Sequence, residues 1–138
     1  ANTEELTGEG AVNGHKEALI DGDLNTFWHS QWDGEGKNPP LPHIIIFDMQ
    51  QTQNILSIEL ARRKNNLDLK AVMFSISNDK ENWTELGKLD FPNDKVPNAQ
   101  IILLPKAVSG RYFRTTVTDS NNGVNASIAE IMFTMGKK

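Results

Sequence analysis

Six short apolar runs, each closed off by glycine, proline, asparagine or aspartate, constrain this chain more than any other feature. They are His43 to Met49, Asn54 to Leu60, Ala71 to Ser77, Ile101 to Leu104, Arg111 to Thr118 and Ile128 to Met135. In the second run Leu56, Ile58 and Leu60 alternate with Ser57 and Glu59; in the third, Val72, Phe74 and Ile76 alternate with Met73, Ser75 and Ser77. Successive side chains of a strand point to opposite faces, so this alternation buries one face of a sheet against a second layer. Several such runs at short spacing predict an all-β sandwich or barrel. Only the stretch from Asn13 to Ile20 has helical character, enough for one short turn. Loops are expected at Asp33 to Pro40, Pro92 to Asn98 and Asp119 to Gly123, where glycine, proline and asparagine disfavour regular pairing.

At 138 residues the chain is expected to form one domain, residues 1–138, large enough to bury a core without staples. It has no cysteine, so disulfides play no part in the fold. No run approaches the length of a membrane span, and the longest apolar stretch, Ile44 to Phe47, suits one buried strand. The N-terminal Ala-Asn-Thr-Glu-Glu has neither a basic nor an apolar leader segment, as in a cytoplasmic protein or a trimmed mature chain. A net charge of −4 points away from nucleic acid and from anionic membrane, which select for basic patches. Catalysis is not expected either. There is no Gly-x-Ser-x-Gly elbow, and the densest acidic cluster has a different use.

That cluster is Asp21-Gly-Asp-Leu-Asn-Thr, rich in the hard oxygen donors that calcium requires. It is not an EF-hand loop: Thr26 stands where the sharp-turn glycine belongs and Trp32 where the closing glutamate belongs. With the residues that follow, Asp21 to Ser30 resembles the "D-G-D-x-x-T-x-W-x-S" signature of F5/8 type C (discoidin-like) domains. Four further segments are similar to elements of that family, in order along the chain: His43 to Met49, Phe74 to Trp83, Gly110-Arg-Tyr-Phe-Arg and Ala129-Glu-Ile. The resemblance spans roughly residues 11–136. It implies a jelly-roll β-sandwich, galactose-binding-domain-like, of about eight strands. It also implies a structural calcium held by the Ala18 carbonyl, Asp21, Asp23, Thr26, the Ala129 carbonyl and Glu130. Trp28 and Trp83 match family positions that pack into or along the sandwich.

Trp28-His29-Ser-Gln-Trp32 further resembles the Trp-His-x-x-Trp loop of galactose-binding members of carbohydrate-binding module family 32. By that resemblance His29 and Trp32 contact a sugar, joined by an arginine at the end of the next strand and an asparagine beyond it. Register favours Arg63, strand alternation leaves Arg62 open, and Asn66 is the asparagine. The chemistry agrees, since an indole face packs on the apolar side of a pyranose while imidazole and guanidinium address its hydroxyls. The stretch Asn121 to Ala126 lacks an aromatic that many relatives carry there, so weak affinity for a galactose-type terminal sugar is expected. The implied partner is therefore a glycan, bound by a monomeric, non-catalytic module of a larger protein outside the cytoplasm, at the cell surface or in the periplasm. The alternatives are an adhesion module for phospholipid or protein, or a purely structural accessory domain.

Overall fold

The computed structural model describes residues 1–64 and 67–136. Among the described residues seven strands follow a 3-10 turn at Lys16–Ile20: β1 (Trp28–His29), β2 (His43–Ala61), β3 (Leu69–Ser77), β4 (Thr84–Asp90), β5 (Ala99–Ser120), β6 (Ser127–Ile128) and β7 (Glu130–Gly136). The fold is an all-β sandwich of antiparallel strands. Hydrogen bonding runs in the order β4-β3-β5-β2-β7, with β1-β6 as a separate two-residue ribbon.

Two strands belong to both layers. Residues 43–48 of β2 pair with residues 112–117 of β5, whose other edge holds β3 and then β4. Residues 54–61 of β2 pair with β7, and residues 53–61 pair with the first half of β5. Four expected runs are thus fused into two long strands. The bend in β2 lies at Gln50, whose φ of 68° and adjoining register shift turn the strand from one layer into the other. A second shift, between Ile55 and Ser57, changes which residue faces inward. Ile55, Ile58 and Leu60 are buried, while Leu56, expected inside, is left exposed. In β3 the alternation holds, with Val72, Phe74 and Ile76 all buried.

The layers meet through aromatic rings. Phe133 of β7 stands edge-on to Phe113 at 4.6 Å between centroids and to Phe47 at 5.8 Å. Phe74 lies against the other side of Phe113, at 5.5 Å. Truncating a ring at the centre of such a cluster costs about 3–5 kcal/mol, because the cavity does not close fully. Gly110 is required where β5 crosses β3, since any Cβ there would overlap Ile76 Cγ1. At one end of the sandwich the β1-β6 ribbon closes over the core. Trp28 is fully buried there, its indole N–H donating to the Thr3 carbonyl at 2.9 Å and its ring edge-on to His43. This end carries the loops where the chemistry collects.

Candidate functional site

A depression of about 510 Å³ opens at that end, lined by Glu9, His29, Trp32, Arg63, Asp68, Asn121, Asn122 and Asn125. Three of the expected ligand residues therefore come together. His29 sits on β1 and is mostly buried. Its Nδ1–H donates to the Ser30 carbonyl at 2.6 Å, which leaves Nε2 facing Asp68 Oδ2 at 3.8 Å. Trp32 lies just beyond β1 with 38% of its surface exposed. Arg63 follows β2, its guanidinium stacked 3.8 Å above the Phe27 ring.

Arg62 takes the opposite side of the chain. It is 2% exposed, lies over Phe91, and donates to the carbonyls of Asn93 and Val96. Burial lowers its affinity for a proton, opposed by Asp94. Its geometry pins the loop at 92–98 and keeps it out of the depression, so of the two arginines only Arg63 lines it. Asn66 lies outside the described residues.

Sequence reasoning missed Asp68 and Glu9. Asp68 Oδ1 accepts from the Ser127 N–H at 2.9 Å and from the Ser127 hydroxyl at 2.8 Å. Burial pushes this carboxyl above its ordinary range, while Ser127, His29 and Arg63 pull the other way. Glu9 accepts the Trp32 indole N–H at 3.1 Å. The asparagine wall is rigid. Asn122 Oδ1 accepts from the N–H groups of Val124 and Asn125, and Asn125 bonds both Ser30 and Asn38. His43 fixes the same loop from below, its Nε2–H donating to the Val124 carbonyl at 2.5 Å. The result is a shallow cup with one aromatic face and several fixed donors and acceptors.

The N-terminal segment frames this cup through Glu5. Its Oε1 accepts from the N–H groups of Trp32 and Asp33 at 2.9 and 2.8 Å. Its Oε2 accepts from the N–H groups of Thr7 and Gly8 and from the Thr7 hydroxyl. Burial alone would raise this carboxyl, but the four backbone donors outweigh it and hold it at about 2.

A second acidic site lies where the 3-10 turn meets β7. Thr26 Oγ1 donates to Asp21 Oδ2 at 2.5 Å, and the Gly22 N–H donates to Glu130 Oε1 at 3.2 Å. Glu130 is 3% exposed and its Oε2 has no hydrogen-bond partner. Burial, then the neighbouring Asp21 and Asp23, push it up to about 7, the Gly22 N–H notwithstanding. Asp21 goes the other way: burial would raise it, yet Thr26, the Asp23 N–H and Glu130 hold it below its usual range. Asp23 turns Oδ1 to the Asn25 N–H at 2.8 Å. Among the described residues no three acidic or histidine side chains converge into a cluster of their own. Ala18 and Ala129, whose carbonyls the resemblance invokes, are buried in the adjoining 3-10 turn and beside Glu130.

Comparisons with known proteins are consistent with this geometry. The F5/8 type C domain profile matches residues 1–131. The crystal structure of the C-terminal domain of a chitobiase from Bacteroides fragilis is 37% identical, with a TM-score of 0.78 over 98% of this chain and 91% of that one. The family 32 carbohydrate-binding module of Clostridium perfringens NanJ, solved in complex with galactose, has a TM-score of 0.75 over 95% of this chain and 88% of that one. At 19% identity it shows likeness of fold alone. A sialidase from Micromonospora viridifaciens is 26% identical over 123 residues, which are 86% of this chain and 18% of the sialidase. The chain thus spans about a fifth of the length of that enzyme.

Proposed function

This chain belongs to the F5/8 type C domain family, and from that membership we infer that it is a non-catalytic module that binds the terminal sugar of a glycan. The observation that carries the reading is the cup itself, in which the exposed Trp32 face stands beside His29, Arg63 and Asp68. A pyranose has an apolar C–H face and a ring of hydroxyls, and recognising it takes one aromatic plane and a few immobile polar groups. Trp32 provides the plane. With Nδ1–H committed to Ser30, His29 Nε2 is placed to accept a hydrogen bond from a sugar hydroxyl. Arg63, kept planar against Phe27, addresses two neighbouring hydroxyls. Asp68 and Glu9 supply acceptors that sort one arrangement of hydroxyls from another.

Galactose-type sugars are the first choice, on the match of Trp28-His29-x-x-Trp32 to galactose-binding relatives and on the galactose in the Clostridium module. An open cup with a single aromatic face supports an affinity on the order of millimolar for a monosaccharide. The sialidase and chitobiase relatives support a module of a larger carbohydrate-active protein working outside the cytoplasm.

We also propose a structural calcium at the second acidic site. A buried carboxylate oxygen without a donor, beside a second carboxyl, fits a hard cation better than it fits any side chain present. Asp21, Asp23, Thr26 and Glu130, with the carbonyls of Ala18 and Ala129, would hold it. The ion would supply the charge that lets Asp21 and Glu130 ionise together and would tie the first loop to the last strand.

A glycan array followed by calorimetric titration tests the sugar reading. Binding is expected for galactose-terminated glycans and is expected to be lost in both His29→Ala and Trp32→Ala. Binding that survives both substitutions places the ligand elsewhere.

A further inference from the structure

An aromatic platform serves a sugar only if its ring is held still, and Trp32 is held from outside the cup. We propose that Glu5, which does not line the depression, is a positioning residue for the ligand site: its carboxylate ties the N-terminal segment to the Trp32 loop, and without it the platform comes loose. The inference rests on the glycan reading above.

Glu5 is 1% exposed, and its five donors come from two stretches of chain, residues 7–8 and 32–33. Oε1 takes the backbone of residues 32 and 33, and Oε2 takes the backbone and hydroxyl of residues 7 and 8. The main chain of Glu5 is fixed as well, its N–H donating to the carbonyls of His29 and Gly14. One carboxylate therefore sets the spacing between the Trp32 backbone and the Thr7-Gly8 turn.

That turn in turn sets the ring. A Cβ added to Gly8 would stand 2.5 Å from Trp32 Cζ2 and 2.7 Å from Cη2, so the indole lies directly on the glycine. Glu9, the next residue, accepts the indole N–H. Backbone beneath the ring and support beside it thus both run through Glu5. Five neutral donors around a carboxylate are matched to its charge, and an amide in its place brings an NH₂ group against them.

The test compares galactose affinity by calorimetry with the ¹H–¹⁵N resonance of the Trp32 indole. In Glu5→Gln, affinity is expected to fall about tenfold or more. The Trp32 indole resonance should shift or broaden, while that of buried Trp28 and the amides of β3 and β5 keep their positions. Gly8→Ala leaves Glu5 and its donors in place and displaces only the ring, and the same loss of affinity is expected. A Glu5→Gln protein with unchanged affinity and an unchanged Trp32 resonance overturns the proposal. So does normal binding by Gly8→Ala if Glu5→Gln fails to fold. Should the wild-type chain bind no glycan, the ligand reading fails, and the Trp32 resonance in Glu5→Gln still decides whether Glu5 holds the ring.

Discussion

Glu5 and Glu130 are nearly equally buried, at 1% and 3% exposure, yet their surroundings drive them in opposite directions. Glu5 collects five hydrogen bonds and is held ionised at about 2. Glu130 receives one, keeps an orphaned oxygen, faces other carboxyls, and is pushed to about 7. Burial is common to both; what differs is the supply of donors. A carboxylate whose lone pairs are filled by backbone N–H groups is a finished piece of architecture. One left short beside another acid is where the proposed calcium would fit. The rim of the cup is thus self-sufficient, whereas the seam between the first loop and the last strand is not.

Metal removal should separate the two glutamates most strongly. Calcium at several hundred times its dissociation constant stabilises by about 3–4 kcal/mol, a melting shift on the order of 10 °C for a chain of this size. Scanning calorimetry with EDTA should reveal that loss, and Glu130→Gln should abolish the response while Glu5→Gln retains it. An unchanged melting temperature in EDTA would erase the distinction between the two glutamates.

The adjacent arginines come next. Arg62→Ala strands the carbonyls of Asn93 and Val96 and should destabilise by about 2–4 kcal/mol in denaturant titrations, with sugar binding retained. Arg63→Ala should do the reverse, changing stability by less than about 1 kcal/mol and lowering galactose affinity about tenfold.

Acid acts on the other glutamate. The carboxyl of Glu5 lies lower in the folded state than its ordinary value of 4.5. Its contribution to stability is therefore complete above that value and is lost as pH falls from about 4.5 toward 2. Melting temperatures measured across this window should fall less steeply for Glu5→Gln than for the wild-type chain.

Much of this is legible in the sequence, for reasons that differ by region. Val72, Phe74 and Ile76 face inward as their alternation requires, because from Val72 to Ser77 the register of β3 with β5 runs unbroken. Leu56 does not, because a register shift beside it depends on pairing with two distant strands, which local pattern does not encode. The bend at Gln50 was hidden in the same way: the stretch Gln50-Gln-Thr-Gln lacks glycine and proline, yet one residue there adopts a positive φ. That His29, Trp32 and Arg63 lie together is legible because two of them sit in one contiguous motif and the third at a strand end. Asp68 is a lone acid beyond β2, and Glu9 and Glu5 lie in an N-terminal segment with no strand pattern. Only the folded topology gathers them, so spacing carried no sign of their role.

The cup holding Trp32, His29, Arg63 and Asp68 is the proposed seat of a terminal sugar. Titrating ¹⁵N-labelled protein with galactose and following its ¹H–¹⁵N spectrum tests this most directly. Saturable shifts are expected, confined to the Trp32 indole, the amides of residues 29–33 and 121–126, and those beside Arg63 and Asp68. Shifts confined to the faces of the sandwich, or none up to tens of millimolar galactose (about tenfold above the expected affinity), would contradict it.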